Sequence, residues 1–146
     1  MGKVTWISVR PKRREDPVVM QSVKAIADFG LEGDHYQKPG GSRQITLIER
    51  HHLNKMGEIL KTEIDPAKTR RNIVVEDMEL LSLIGKTIQI GEATIKVTGP
   101  CKPCSRMEEN FGHGGLSAMS GNGGITAEIL QGGIISLGDS TQVINL

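Results

Sequence analysis

Cys101 and Cys104 stand three apart in a chain of 146 residues, with Lys102 and Pro103 between them. Thiolate is the reactive and metal-ligating form of cysteine, and nearby cations or a helix N-terminus favour it. Lys102 and Arg106 supply cations, and a helix starting near Ser105 would add its dipole. Several chemistries compete. A thioredoxin-like dithiol would make Cys101 the nucleophile, but that pair belongs to a βαβ setting. A structural zinc site needs four ligands. The four histidines, His35, His51, His52 and His113, have no spacing that matches one. An inert pair in a buried turn and a single functional thiolate with a supporting neighbour both stay open on spacing alone. Two cysteines make no disulfide framework.

Arg70, Arg71 and Asn72 are the second candidate. On a strand, Arg70 and Asn72 would share a face. A guanidinium beside an amide suits a multi-oxygen anion such as phosphate. A charged strand start facing water accounts for the same pattern. The third candidate is glycine-rich: Gly112-His113-Gly114-Gly115 and Gly121-Asn122-Gly123-Gly124. Such loops can aim backbone N–H groups at an anion, or they are plain loops. Neither the Walker A pattern nor GxGxxG occurs in a strand–helix context, so nucleotide binding is unsupported. His113 reads as a loop residue and Asp34 as a turn former.

Composition narrows the partners. The net charge is +1 and aromatic residues are 3%, so neither a basic surface nor a stacking platform points to nucleic acid. Lys12, Arg13 and Arg14 stand beside Glu15 and Asp16 and read as a solvated loop. No apolar run is long enough to span a bilayer. At the N-terminus the basic residues follow the short apolar stretch, the reverse of a secretory signal, so a cytoplasmic protein is expected. With 37% hydrophobic and 24% charged residues, a single globular domain over residues 1–146 is expected.

The elements that would position these residues are mostly short strands. Residues 4–9 alternate weakly, and 18–20 and 23–27 are ambiguous. Residues 43–48 and 70–75 read as strands. Residues 49–61 form the best helix, with Leu53, Met56, Ile59 and Leu60 at steps of three and four and Pro66 beyond its end. Residues 78–83 suggest a helical turn capped by Asp77. Ile88 and Ile90, then Gly91-Glu92, then Ile95 and Val97 describe a hairpin with a type II′ turn. Its second strand runs out at Thr98-Gly99-Pro100, directly before Cys101. A helix over 105–110 and a glycine-rich loop over 111–124 follow. Strands over 125–130, 134–137 and 141–146 complete the chain. About seven short strands with one or two short helices predict a mainly β fold, a barrel or sandwich.

The order of the segments resembles the MOSC family, named for the C-terminal domain of molybdenum cofactor sulfurases. The segments are GLEGDHY (30–36), SRQITLIE (42–49), RRNIVVE (70–76), LIGKTIQIGEATIKVTGPCKPC (83–104) and GIISLGD (133–139). The resemblance implies a β-barrel-like fold and binding of the molybdenum cofactor, a pterin dithiolene with a terminal phosphate. In the family's mitochondrial reductases the second cysteine of the matching segment ligates molybdenum, which here is Cys104. The matching RxN makes Arg70 and Asn72 pterin-side contacts. The position two before the ligand lies near the cofactor; Lys102 stands where those members have a small hydroxyl residue. The resemblance thus implies cofactor contacts at Arg70, Asn72, Lys102 and Cys104.

The reductases also have a separate N-terminal β-barrel domain, absent from these 146 residues. A missing substrate surface, or one supplied by a second subunit, is therefore expected. Lys38-Pro39-Gly40-Gly41 stands near the His-His-Gly-Gly signature of another bacterial branch. The implied activity suits reduction of N-hydroxylated compounds. Electrons would come from a partner protein, because no flavin, haem or iron–sulfur motif is present. The alternative is a sulfur carrier, with a persulfide on Cys104 or Cys101 destined for a molybdoenzyme or other metal–sulfur centre.

Overall fold

A computed structural model describes residues 1–13, 15–102, 110–112, 114–119 and 121–144. Cys104, Arg106, His113 and all of the helix expected over 105–110 except its helical last residue, Asn110, lie outside the described residues. Eleven strands are described: β1 (Gly2–Val9), β2 (Val18–Val19), β3 (Ser22–Ile26), β4 (Gly30–Leu31), β5 (Ile45–Glu49), β6 (Ile73–Glu76), β7 (Thr87–Ile90), β8 (Ala93–Pro100), β9 (Ile125–Gln131), β10 (Gly133–Ser136) and β11 (Ser140–Ile144). Among the described residues, two α-helices with both ends in view accompany them, α1 (Arg50–Leu60) and α2 (Gly115–Met119), with 3-10 turns at Pro66–Thr69 and Leu80–Leu83. None of the described helices is long and apolar enough to cross a membrane.

Seven strands close into a barrel in the order β1, β11, β7, β8, β9, β5, β6 and back to β1. β2 pairs onto β1 outside the ring, and β10, β3 and β4 form a second, small sheet. The expected mainly β, barrel-like fold is therefore what the chain adopts. The hairpin is built as its residues require. Ile90 pairs with Ala93, and Gly91 turns at φ +55, the hand a type II′ turn needs at its first position.

Burial follows the closure. Val4, Ile7, Leu47, Ile73, Val75, Ile88, Ile95, Val97 and Ile125 fill the inside of the barrel. Outside it, Ile48 and Val74 pack under Leu53 and Met56 of α1, joined by Trp6. β5 and β6 are thus covered on both faces, and their near-continuous apolar runs reflect that. They are also the parallel pair of the barrel, linked across α1. β1 alternates weakly because its register slips between Val4 and Trp6, which sends Val4 and Ile7 inward and Trp6 outward.

Three local expectations are corrected. Ile59 does not join the apolar face of α1; it is 54% exposed, because the face ends at Met56 and the half-buried Leu60. The turn after β6 is a 3-10 turn whose N-cap is Glu79, with no side-chain cap, while Asp77 lies earlier at φ +59. The strand expected over 70–75 starts only at Ile73. Asp65 accepts the N–H of Ala67, Pro66 opens a 3-10 turn, and Arg70 ends it in the left-handed region at φ +61.

One prediction arises in α1. The His52 imidazole has its pKa pulled below the usual value, first by burial; Glu49 opposes this, and His51 and Lys55 add to it. The unfolded chain therefore takes the proton more readily than the folded one. Stability is intact above the unfolded pKa, 6.5, and declines as pH falls from there toward the folded value. Denaturant midpoints at pH 7.5 and 5.5 should differ less in His52→Gln than in the natural chain. An identical difference in both proteins assigns the effect to another group.

Candidate functional site

β1 runs antiparallel to β6, and β5 runs parallel to it. The C-terminal end of β1 therefore meets the N-terminal ends of β5 and β6. Arg10 leaves the first, Arg43 precedes the second, and Arg70 to Asn72 precede the third. Together with Asp34 and Tyr36 they line one cavity of about 10 Å³, room for one water-sized group. Such a space admits the tip of an oxyanion and excludes a ring system.

Among the described residues, four arginines, Arg10, Arg43, Arg70 and Arg71, and one carboxylate, Asp34, define its charge. Arg10 has its pKa lowered, first by burial and then by Arg70; Tyr36 and Asp34 act the other way, and Arg43 lowers it further. The cations therefore crowd one another, and an anion among them would relieve that crowding. The Arg43 guanidinium lies over the Tyr36 ring, 4.3 Å from its centroid. Its buried Nε has no hydrogen-bond partner among the described residues.

Asp34 is 5% exposed. It accepts the N–H of Arg10 at 2.8 Å and of Tyr36 at 3.2 Å, and the Asn72 amide donates to it at 3.4 Å. The bond to Tyr36 makes it the turn former expected from the sequence, and the other two make it the floor of the cavity. Asn72 is itself held from all sides. Its oxygen accepts from the N–H and hydroxyl of Thr46, both at 3.0 Å, and its Nδ2 also donates to the Ser8 carbonyl at 3.2 Å. It thus orients the cavity wall.

The cysteine segment lies in an adjoining cleft of about 380 Å³, bounded by Leu81, Pro100, Cys101, Lys102, Gly121, Gly123 and Gly124. Cys101 is 3% exposed, and its N–H donates to the Gly124 carbonyl at 2.9 Å. Lys102 is exposed at the rim. Arg71, buried between the two clefts, joins them. Its Nε donates to the Gly123 carbonyl at 2.7 Å and its Nη1 to Thr69 at 3.1 Å. Its Nη2 reaches the Cys101 carbonyl at 3.3 Å and that of Lys102 at 3.4 Å. The glycine loop thus turns the Gly123 carbonyl toward Arg71. The short helix α2 precedes it, with Asn122 bonded to the helix end through the Met119 and Ala118 carbonyls.

The structure therefore brings Arg70 and Asn72 together in one cavity, though not by strand alternation, and places Lys102 in the neighbouring cleft. Arg10, Arg43 and Asp34 were not singled out by sequence as ligands. The available signal was that Arg10 follows one apolar run and Arg43 precedes another; Asp34, in a turn, gave none. Among the described residues, no three histidine, cysteine or acidic side chains gather as a metal site.

The family model for the MOSC domain matches residues 32–142, which is most of the chain, and the chain belongs to that family. Solved structures share the fold. YuaD from Bacillus subtilis superposes with a TM-score of 0.83 at 18% identity, over 98% of this chain and 96% of its own. YiiM from Geobacillus stearothermophilus gives 0.81 at 18% identity, covering 99% and 76%. YiiM from Escherichia coli gives 0.75 at 18% identity, covering 99% and 70%. No curated protein matches the chain. The MOSC domain family is associated with the molybdenum cofactor. The residues present suit such a group in kind: guanidinium groups for an anionic end, and a cysteine-bearing segment beside a roomier cleft.

Proposed function

We propose that this chain binds the molybdenum cofactor. Arg10, Arg43 and Arg70 face its anionic end, Asn72 fixes the wall they share, Lys102 lies at the rim, and Cys104 supplies the thiolate ligand. The observation that carries the reading is the convergence of four arginines, Arg71 among them, on one cavity beside the cysteine cleft. Arginine pairs bidentately with phosphate, and a thiolate is the softest protein donor for a metal of this kind. When bound, the cofactor supplies two-electron oxygen-atom chemistry, which suits reduction of an N-hydroxylated compound with electrons from a partner protein.

The chain's own residues then have limited tasks. Arg71 holds the cysteine segment through its carbonyls. Asp34 offsets part of the cationic charge and fixes the Arg10 backbone. The cleft of about 380 Å³ leaves space for a small substrate.

The test is metal and pterin analysis of protein made in a cofactor-competent host. Molybdenum and pterin in equal amounts are expected in the natural chain. Cys104→Ser should lose the metal by about tenfold or more in affinity, whereas Cys101→Ser should keep it. Absence of both metal and pterin under saturating supply sinks the reading. Cyanide-releasable sulfur on Cys104 without metal would instead establish the sulfur-carrier role.

A further inference from the structure

Arg71 lines one cleft and is bonded to residues that line the other. It lines the cationic cavity, and it holds Cys101, Lys102 and Gly123 by their carbonyl oxygens. We infer that Arg71 couples the two: an oxyanion taken up beside Arg10, Arg43 and Arg70 fixes Arg71 and so suppresses local opening of the Cys101 segment. This rests on the cofactor reading only for the nature of the occupant.

The bonds form a closed circuit. Arg71 Nε reaches the Gly123 carbonyl, the next carbonyl, Gly124, accepts the Cys101 N–H, and the Cys101 carbonyl returns to Arg71 Nη2. A guanidinium is planar, so its forks move together; releasing one carbonyl disturbs the others. The backbone on either side is pinned. The Arg71 N–H donates to the Thr69 hydroxyl at 3.4 Å, the Ser8 hydroxyl donates to the Arg71 carbonyl at 3.1 Å, and the Asn72 N–H donates to the Thr46 hydroxyl at 2.9 Å. Arg70 enters this segment in the left-handed region at φ +61, a conformation held by its surroundings. Whatever steadies the Arg70–Asn72 stretch from the cavity side therefore steadies the circuit. Cys101, 3% exposed, can meet a reagent only when the circuit opens.

The experiment uses the full chain with Cys104→Ser, so that Cys101 is the one thiol. Its labelling rate is compared in inorganic phosphate and in chloride at equal ionic strength, and phosphate uptake is followed by calorimetry. Phosphate should slow labelling about fivefold or more, the lower range of ordinary site–site coupling. Arg71→Lys keeps the charge, but one ammonium cannot span Thr69, Cys101 and Gly123 together. Its basal labelling should be faster, and phosphate should no longer slow it.

Equal slowing in both proteins overturns the coupling, because it then bypasses Arg71. Uptake without slowing overturns it, and so does no uptake. Should Arg71→Lys fail to fold, Arg71→Gln takes its place in the comparison, and absence of slowing in the parent protein overturns the coupling by itself. Absence of molybdenum in the natural chain would remove the cofactor reading without touching this result, and the reverse holds as well.

Discussion

Gly124→Ala is expected to lower folding stability by about 4 kcal/mol or more, at the far end of single-substitution effects. Gly124 sits at φ +84, and a Cβ there would lie 2.0 Å from the Leu47 carbonyl oxygen and 3.0 Å from the Ile48 Cα. Both obstacles are backbone of β5, which is buried on each face and paired on each edge. No flexible side chain can give way. The Gly124 carbonyl also accepts the Cys101 N–H, so any shift travels to the cysteine segment. Gly121 is the internal control. It has a similar φ of +76, but a Cβ there meets nothing within 4 Å. Gly121→Ala should cost only the conformational part, about 1–2 kcal/mol. Urea denaturation of the two variants measures the difference. Equal losses would mean that the approach to β5 relaxes freely.

Asp34→Ala is expected to cost about 3 kcal/mol. It strands the N–H groups of Arg10 and Tyr36 and takes an acceptor from Asn72, and unmet buried donors carry about 1–3 kcal/mol each. It also removes the one carboxylate that lines the arginine cavity among the described residues. Asp34→Asn retains an acceptor oxygen and should recover roughly half of that loss. Added phosphate should stabilise Asp34→Ala more than the natural chain, because its cations are less compensated. Thermal melts with and without phosphate, at fixed ionic strength, read this out. If Asp34→Asn is as unstable as Asp34→Ala, charge rather than hydrogen bonding is what the site needs from this residue.

Features that arise within a few residues were legible in the sequence. The Gly91-Glu92 turn and helix α1 depend on local spacing, and both stand close to where the pattern puts them. The family segments and the mainly β class were legible for the same reason. What depends on closure was not. Weak alternation in β1 hid a register slip that exists only against β6. RRNIVV reads as one strand, yet Asp65 and Pro66 upstream impose a turn that delays it to Ile73. Arg10, Asp34 and Arg43 are isolated polar residues with no period of their own. They become a cluster only when β1, β5 and β6 are set side by side. Arg71, adjacent to the residues that the RxN pattern marks, gave no sign that it reaches the cysteine segment from behind.

The ring is sealed by Gly2 against Thr141 and Lys3 against Ser140. A ribosome makes β1 long before it makes β11, because every other strand of the ring lies between them in sequence. Until β11 has emerged, β1 has no partner at Gly2 and Lys3, its far end alone being covered by β2, and β7 has none on its outer side, so the nascent chain carries two open edges. Such edges invite pairing with other chains, and waiting for a distant partner is slow. The strand that closes the ring therefore sets the timing: the arrival of β11, rather than formation of the central hairpin, is the moment at which this barrel becomes safe from its neighbours.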